Sequence, residues 1–179
     1  MTKEHKLYVI IAASATTVAV ALALYYLYYL PNKKTKGMKT VTNKGLNIIK
    51  KFERLYLTAY LCPAGKPTIG YGHTSGVSIG DTCTEAQANA WLEDDVNIAE
   101  TAVNAQNLRI SQNQFDALVS FVFNVGEPRF KNSTLLKKIK ANPDDPTIAD
   151  EFAKWRTDGK NVLSGLVKRR EAESSLYFA

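Results

Sequence analysis

Only two cysteines occur in the 179 residues, Cys62 and Cys83. That is too few for a metal-ligand spacing and enough for one disulfide at most. Internal repeats and low-complexity tracts are absent, and Gly70-Tyr71-Gly72 lacks the remaining glycines of a phosphate-binding loop. Charge is scarce where a polyanion binder would need it. The formal net charge is +6, but residues 1–39 hold six lysines against Glu4 alone, which leaves +1 for everything after them. A globular part so close to neutral argues against nucleic acid as the partner. Its charge is uneven: residues 81–116 carry seven acids and only Arg109, whereas residues 127–179 carry eleven bases and eight acids. The basic end would suit an anionic polymer; ordinary solvated helix faces account for it equally.

No charged residue occurs from Leu7 to Leu30, a run of 24 residues, long enough to cross the hydrocarbon core of a bilayer as a helix. It exceeds the apolar region of a signal peptide and no small-residue cleavage site precedes Pro31, so a retained transmembrane helix is expected. Tyr25, Tyr26, Tyr28 and Tyr29 gather at one end, where such rings favour the membrane interface. Nine of the 24 residues are Ala, Ser14, Thr16 or Thr17, so the helix is only weakly apolar. The expected organisation is a tail (1–6), a membrane helix (7–30), a polar linker (31–41) and a globular domain (42–179). About 140 residues can bury roughly two thirds of their surface, enough for an independent core.

Within the domain, Thr42 is an N-cap for a helix carrying Leu46, Ile49 and Phe52 and ending near Glu53. Thr84 with Gln87, and Ser111 with Gln114, form capping boxes. The first opens a long helix with Ala88, Leu92, Val96, Ala99 and Val103 on its buried face. The second opens a helix with Phe115, Leu118, Val119 and Val122 at helical spacing, the expected centre of the core. That helix ends at Gly126, with Phe123 and Asn124 on its last turn. Phe123 reads equally as core or ligand contact, while Asn124, a polar group at a helix end, points to binding. Asn132-Ser133 opens a short helix, and Asp145-Pro146 another with Pro at its first position. Trp155 reads as core beside Ile148 and Phe152. Arg169 and Arg170, with Glu171 and Glu173 on the last helix, read as ion pairs between lobes.

The chemistry concentrates between Phe52 and Thr74, where an acid, a thiol, a threonine, a histidine and two turns share 23 residues. Glu53 falls where the amphipathic pattern stops, at the lip of a helix. Alternation follows, with Tyr56, Thr58 and Tyr60 on one face and Leu57, Ala59 and Leu61 on the other, the period of a half-buried strand. Pro63 and Gly65 supply a turn, and residues 67–71 read as the returning strand. Pro67 removes a ladder donor, which predicts an edge strand or bend. Cys62 and Thr68 then flank the bend and can face Glu53 across a small cleft.

Glu53, eight residues, Cys62, five residues, Thr68, continuing as Thr68-Ile69-Gly70-Tyr71-Gly72-His73-Thr74, resembles the active-site signature of phage-type lysozymes, glycoside hydrolase family 24. Three later blocks resemble that family in the same order: residues 120–126, Asn132-Ser133-Thr134-Leu135-Leu136, and residues 165–173. The resemblance implies an α+β, lysozyme-like fold, with a small β-hairpin lobe, a larger helical lobe and the cleft between them. It implies a monomeric, cofactor-free and metal-free muramidase that cleaves the β-1,4 link of peptidoglycan, serving host lysis. Glu53, Cys62 and Thr68 become the candidate catalytic residues, Phe123, Asn124 and Ser133 the substrate contacts, and His73, Tyr71 and Arg169 the supporting residues. His73 is expected to brace the Glu53 segment through a hydrogen bond.

The apolar N-terminus resembles the signal-anchor-release segments of some phage lysins; a permanent anchor fits it equally. Lys33, Lys34, Lys36 and Lys39 outnumber Lys3 and Lys6, a bias that would keep the C-terminal side cytoplasmic. A wall hydrolase requires the domain to face the wall, and that expectation is given precedence. Cys62 stands where many relatives have Asp. A free thiol, with a pKa of about 8.5, is a weak base at pH 7. Cys62 is then a nucleophile or a residue that shapes a water site with Thr68, and its pairing with Cys83 is a further alternative. The same substitution keeps a catalytically silent peptidoglycan-binding protein open, and the shared N-acetylglucosamine keeps a chitin-oligomer hydrolase open.

Overall fold

The computed structural model describes residues 38–62 and 65–179, so the expected membrane segment, 7–30, lies outside the described residues. Among the described residues no helix is long and apolar enough to cross a membrane. The chain divides into two units, Met1–Met38 and Lys39–Ala179. The second unit begins inside the stretch that reads as linker. Lys39 N–H donates to Asn104 Oδ1 at 3.0 Å, and Val41 N–H to Glu100 Oε1 at 2.6 Å.

The second unit runs α1 (Asn43–Glu53), β1 (Tyr56–Leu61), β2 (Pro67–Gly70), α2 (Glu85–Asn104), α3 (Gln112–Val125), α4 (Glu127–Lys131), α5 (Thr134–Ala141), α6 (Ile148–Ala153) and α7 (Ser164–Tyr177). This is the expected α+β architecture, a small sheet and a mostly helical body. Thr42 caps α1, accepting from Lys44 N–H, and both capping boxes form. α3 is the centre: its residues from Gln114 to Val122 are all buried, as in a helix surrounded by others. Asp116 on α3 is fully buried and accepts from the Thr42 N–H, the Thr42 hydroxyl and the Gln112 amide, which fastens the start of α1 to α3. Gly45 makes that approach possible. A Cβ there would fall 2.5 Å from Val41 Cγ2 and 3.0 Å from the Asp116 carbonyl oxygen.

The helical body closes around Phe121, whose ring meets Phe152 and Trp155 edge-on at 5.4 and 5.3 Å. Trp155, half-buried, therefore packs against the core, with the Arg129 guanidinium carbon 4.9 Å from its ring centre. α6 starts at Ile148, later than the Asp145-Pro146 start expected from sequence. The Asp145 carboxylate accepts from both the N–H and the hydroxyl of Thr147 at 2.8 Å, which holds the chain in a turn before the helix. α4, built on Pro128 directly after Gly126, was not foreseen.

The strands pair antiparallel, Tyr60 opposite Thr68 and Leu61 opposite Pro67, with a bulge between Tyr56 and Tyr60. Alternate burial along β1 does not occur: Tyr56, Leu57, Thr58 and Leu61 are all exposed. A two-stranded ribbon covers no face fully, and the bulge breaks the two-residue period. The far edge of β1 is taken by residues 81–83, through Ala59 N–H to Asp81 O and Cys83 N–H to Leu57 O, both 2.9 Å. β2 is left as the edge strand that Pro67 requires. Its Gly70 lies on α2, where a Cβ would meet Ala88 Cβ at 3.2 Å. α2 thus carries the sheet at one end and packs on α3 along its length.

Candidate active site

Glu53 is the last residue of α1, and Arg54 after it has φ 59° and ψ 162°. This backbone region is almost confined to glycine and costs on the order of 1–3 kcal/mol, a strain typical of functional sites. The chain turns off the helix at once and leaves the Glu53 side chain 22% exposed. Oε1 receives Arg169 Nη1 at 2.5 Å. Oε2 faces Gly72, where a Cβ would lie 3.5 Å from it. One carboxyl oxygen is therefore held by a guanidinium, and the other abuts the glycine that follows Tyr71.

Thr68, on β2, is 3% exposed and its hydroxyl donates to the Lys66 carbonyl at 3.0 Å. Its proton is committed, and its lone pairs can accept. Cys62 forms the stem of the turn: its N–H donates to Lys66 O at 3.0 Å and its carbonyl accepts from Gly65 N–H at 2.8 Å. No disulfide joins it to Cys83, whose backbone is engaged by Leu57. Tyr60, the partner of Thr68 across the strands, ties these groups to the acid. Burial raises the pKa of its phenol, and Tyr56, Glu53 and Cys62 add to the rise.

His73 does not hydrogen-bond to the Glu53 segment as expected. Its Nδ1 lies 2.8 Å from Asp95 Oδ2 and its Nε2 3.0 Å from Ser75 O, and its ring stacks on Trp91 at 5.1 Å. It locks the loop after β2 to α2. Tyr71 is buried beneath Lys50, whose ammonium sits 5.4 Å from the ring centre and also binds Asn89 at 2.8 Å. Burial raises the Tyr71 phenol pKa, as does Glu85.

Two depressions are bounded by residues at the end of α3. One, of about 610 Å³, is bounded by Phe52, Glu53, Asn124, Leu163 and Arg169. The other, of about 420 Å³, is bounded by Gly72, Thr74, Asp95, Phe123 and Glu127. Asn124 accepts from Arg170 Nη2 at 2.9 Å. Ser133 borders neither. It is buried as the N-cap of α5, accepting from Leu136 N–H at 3.0 Å and donating to Phe130 O at 2.7 Å, which explains why its residue type sits there.

Arg169 and Arg170 pair with Glu173 rather than with Glu171. Glu173 is fully buried and accepts from Ser120 Oγ at 2.8 Å and Arg169 Nε at 3.1 Å. Burial raises its carboxyl pKa, partly offset by the two arginines and Ser120. Arg170 Nε lies 2.9 Å from Glu173 Oε2, but the two are not aligned for a hydrogen bond. Burial pulls Arg170 down to about 10, against the opposing pull of Glu173. Sequence reading did not single out Gly72, Tyr60, Asp95 or Ser120. Arg169 and Glu173 carry a legible signal in their i, i+4 spacing on one helix.

A carboxyl group at a groove is one of the groups that glycosidic cleavage requires. With this α+β fold, it accords with a glycoside hydrolase of the lysozyme kind. The phage lysozyme family model matches residues 50–173, and the chain belongs to that family. It is 44% identical over 142 residues to the endolysin of Acyrthosiphon pisum secondary endosymbiont phage 1, covering 76% of this chain and 97% of that relative. The muramidase domain of SpmX from Asticaccaulis excentricus superposes with a TM-score of 0.71 at 37% identity, covering 78% of this chain and 98% of that one. A SAR-endolysin of bacteriophage PS119 is 37% identical over 111 residues, 61% of this chain and 66% of that relative. The protein is a phage-type lysozyme whose relatives are endolysins and muramidases, and it hydrolyses peptidoglycan.

Proposed function

We propose that the protein is a membrane-tethered muramidase that cleaves the β-1,4 bond between N-acetylmuramic acid and N-acetylglucosamine, and that it serves phage-induced lysis of the host. The observation that carries the reading is the Glu53 carboxyl, with Oε1 on Arg169 and Oε2 beside Gly72 at the groove. Glu53 acts as the general acid. It gives its proton to the glycosidic oxygen, the bond to the anomeric carbon breaks, and a water on the opposite face adds to that carbon and releases its proton to solvent, from which the Glu53 carboxylate is reprotonated. Cys62 and Thr68 serve the opposite side of the sugar ring. Thr68 orients the water through its free lone pairs, with Cys62 beside it in place of a second carboxylate. Phe123 and Asn124 contact the glycan, and His73, Tyr71 and Arg169 support the acid; Ser133, buried as the cap of α5, is left out of the substrate contacts.

Residues 7–30 anchor the chain, with the domain facing the wall. The 24 uncharged residues support this, as does the similarity to a SAR-endolysin. The weak hydropathy of the segment allows later release. Isolated cell walls incubated with the full-length chain should lose turbidity and release reducing ends. Sedimentation of the protein with walls that never clear would identify a silent binder instead. Membranes of expressing cells washed at alkaline pH should retain the full-length chain and lose a chain that starts at residue 39.

A further inference from the structure

We infer that Glu173 is a positioning residue for the acid: it orients Arg169 so that the guanidinium immobilises Oε1 of Glu53 and leaves Oε2 to carry the transferred proton. This rests on the reading of Glu53 as general acid. Arg169 is 3% exposed and each of its three guanidinium nitrogens has a partner, Nε with Glu173 at 3.1 Å, Nη2 with the Ser120 carbonyl at 3.2 Å and Nη1 with Glu53 at 2.5 Å. A guanidinium is a rigid plane, so fixing Nε and Nη2 decides where Nη1 points. Glu173 is itself held by Ser120 Oγ, so the aim of Arg169 is referred to α3, the most buried helix of the fold. Phe52 lies alongside, its ring centre 5.9 Å from the Arg169 guanidinium carbon.

The charges form a closed set. Glu173 faces Arg169 and Arg170 from its own helix and the Ser120 hydroxyl from α3. Glu53 faces Arg169, and it is felt by Arg170 from the same helix and by Tyr60 from the sheet. Two carboxylates and two guanidiniums cancel. A purely structural role for Glu173, neutralising two buried arginines, would make its loss costly for folding and would shift the titration of the acid only by the charge removed. A positioning role adds a loss of kcat at the pH optimum, because Nη1 is no longer aimed at Oε1.

The test is the pH dependence of reducing-end release from soluble glycan strands by the full-length chain, with folded fractions checked by circular dichroism. Glu173→Gln keeps the shape and an acceptor oxygen and removes the charge. The uncompensated cation beside the acid favours its ionised form, so the alkaline limb should move to lower pH by roughly 0.5–1 unit. Arg170→Gln should move that limb to higher pH, and the double variant should return it close to the parent. If Glu173→Gln fails to fold, the Arg170→Gln and double variants decide by the same pattern. Limbs that superimpose on the parent, or that shift while kcat at the pH optimum stays at the parent value, in every folded variant would overturn the inference and leave Glu173 structural. Parent-like activity in Glu53→Gln would instead overturn the general-acid reading, so the two failures are distinguishable.

Discussion

Arg169 Nη1 rests 2.5 Å from Oε1 of Glu53 across 116 residues of sequence. The pair joins the end of the first helix of the folded unit to the middle of its last. Formation of the acid site is therefore coupled to docking of α7 on the body, and each chemical prediction below depends on that closure.

Glu53→Gln should abolish wall clearance while leaving the thermal unfolding midpoint within a few degrees of the parent. The amide keeps the size of the side chain and can still meet Arg169, but has no acidic proton to give. General acid catalysis contributes roughly 100-fold to 10,000-fold in rate. Retention of more than about a tenth of the parent rate would remove Glu53 from that role.

Cys62→Ser should lower activity strongly, whereas Cys62→Asp should keep or raise it by supplying a second carboxylate across the ring. Clearing rates before and after iodoacetamide treatment give an independent check on the thiol. Full activity in Cys62→Ser, together with indifference to alkylation, would make Cys62 a packing residue.

Gly45→Ala should destabilise the fold although alanine is the better helix former. The gain in propensity is about 1 kcal/mol. The added Cβ would sit 2.5 Å from Val41 Cγ2 and 3.0 Å from the backbone oxygen of Asp116, which cannot move without shifting α3. Overpacking of this kind costs typically ~1–3 kcal/mol. Urea denaturation should give a lower midpoint, and a raised one would show that α1 can back away freely.

Glu151 should make stability fall in acid. Its hydrogen bond from Lys154, and then the pairing with Lys138, hold its carboxyl below the usual 4.5, against the effect of its burial. A carboxyl lowered by folding adds stability that is complete above the unfolded value and is lost as the pH drops through the folded one. Glu151→Gln should cost about 1 kcal/mol at pH 7, a modest figure because Lys154 is largely in solvent. The difference should close below pH 4.5. Equal differences at pH 7 and pH 3 in chemical denaturation would contradict the ionic origin.

Local chemistry decided much of this protein in advance. Thr42, Thr84 and Ser111 cap the helices they announce, because a hydroxyl three residues or fewer from an orphan N–H needs nothing else from the fold. The buried face of α2 and the all-round burial of α3 follow from apolar spacing. The signature from Glu53 to Thr74 likewise placed the acid at a helix end and Pro67 on an edge strand. What short range could not supply is partnership. β1 lost its alternation to a bulge and to residues 81–83, α6 lost its first two expected residues to the Asp145 carboxylate, and His73 went to Asp95 on α2. Arg169 was legible as an ion-pairing residue, yet its reach to Glu53 depends on how α1, α3 and α7 pack, a relation with no local trace in sequence. The sequence by itself determined the elements and the reactive groups; the tertiary structure alone decided which charge meets which, because a buried charge takes the partner that packing brings within about 3 Å.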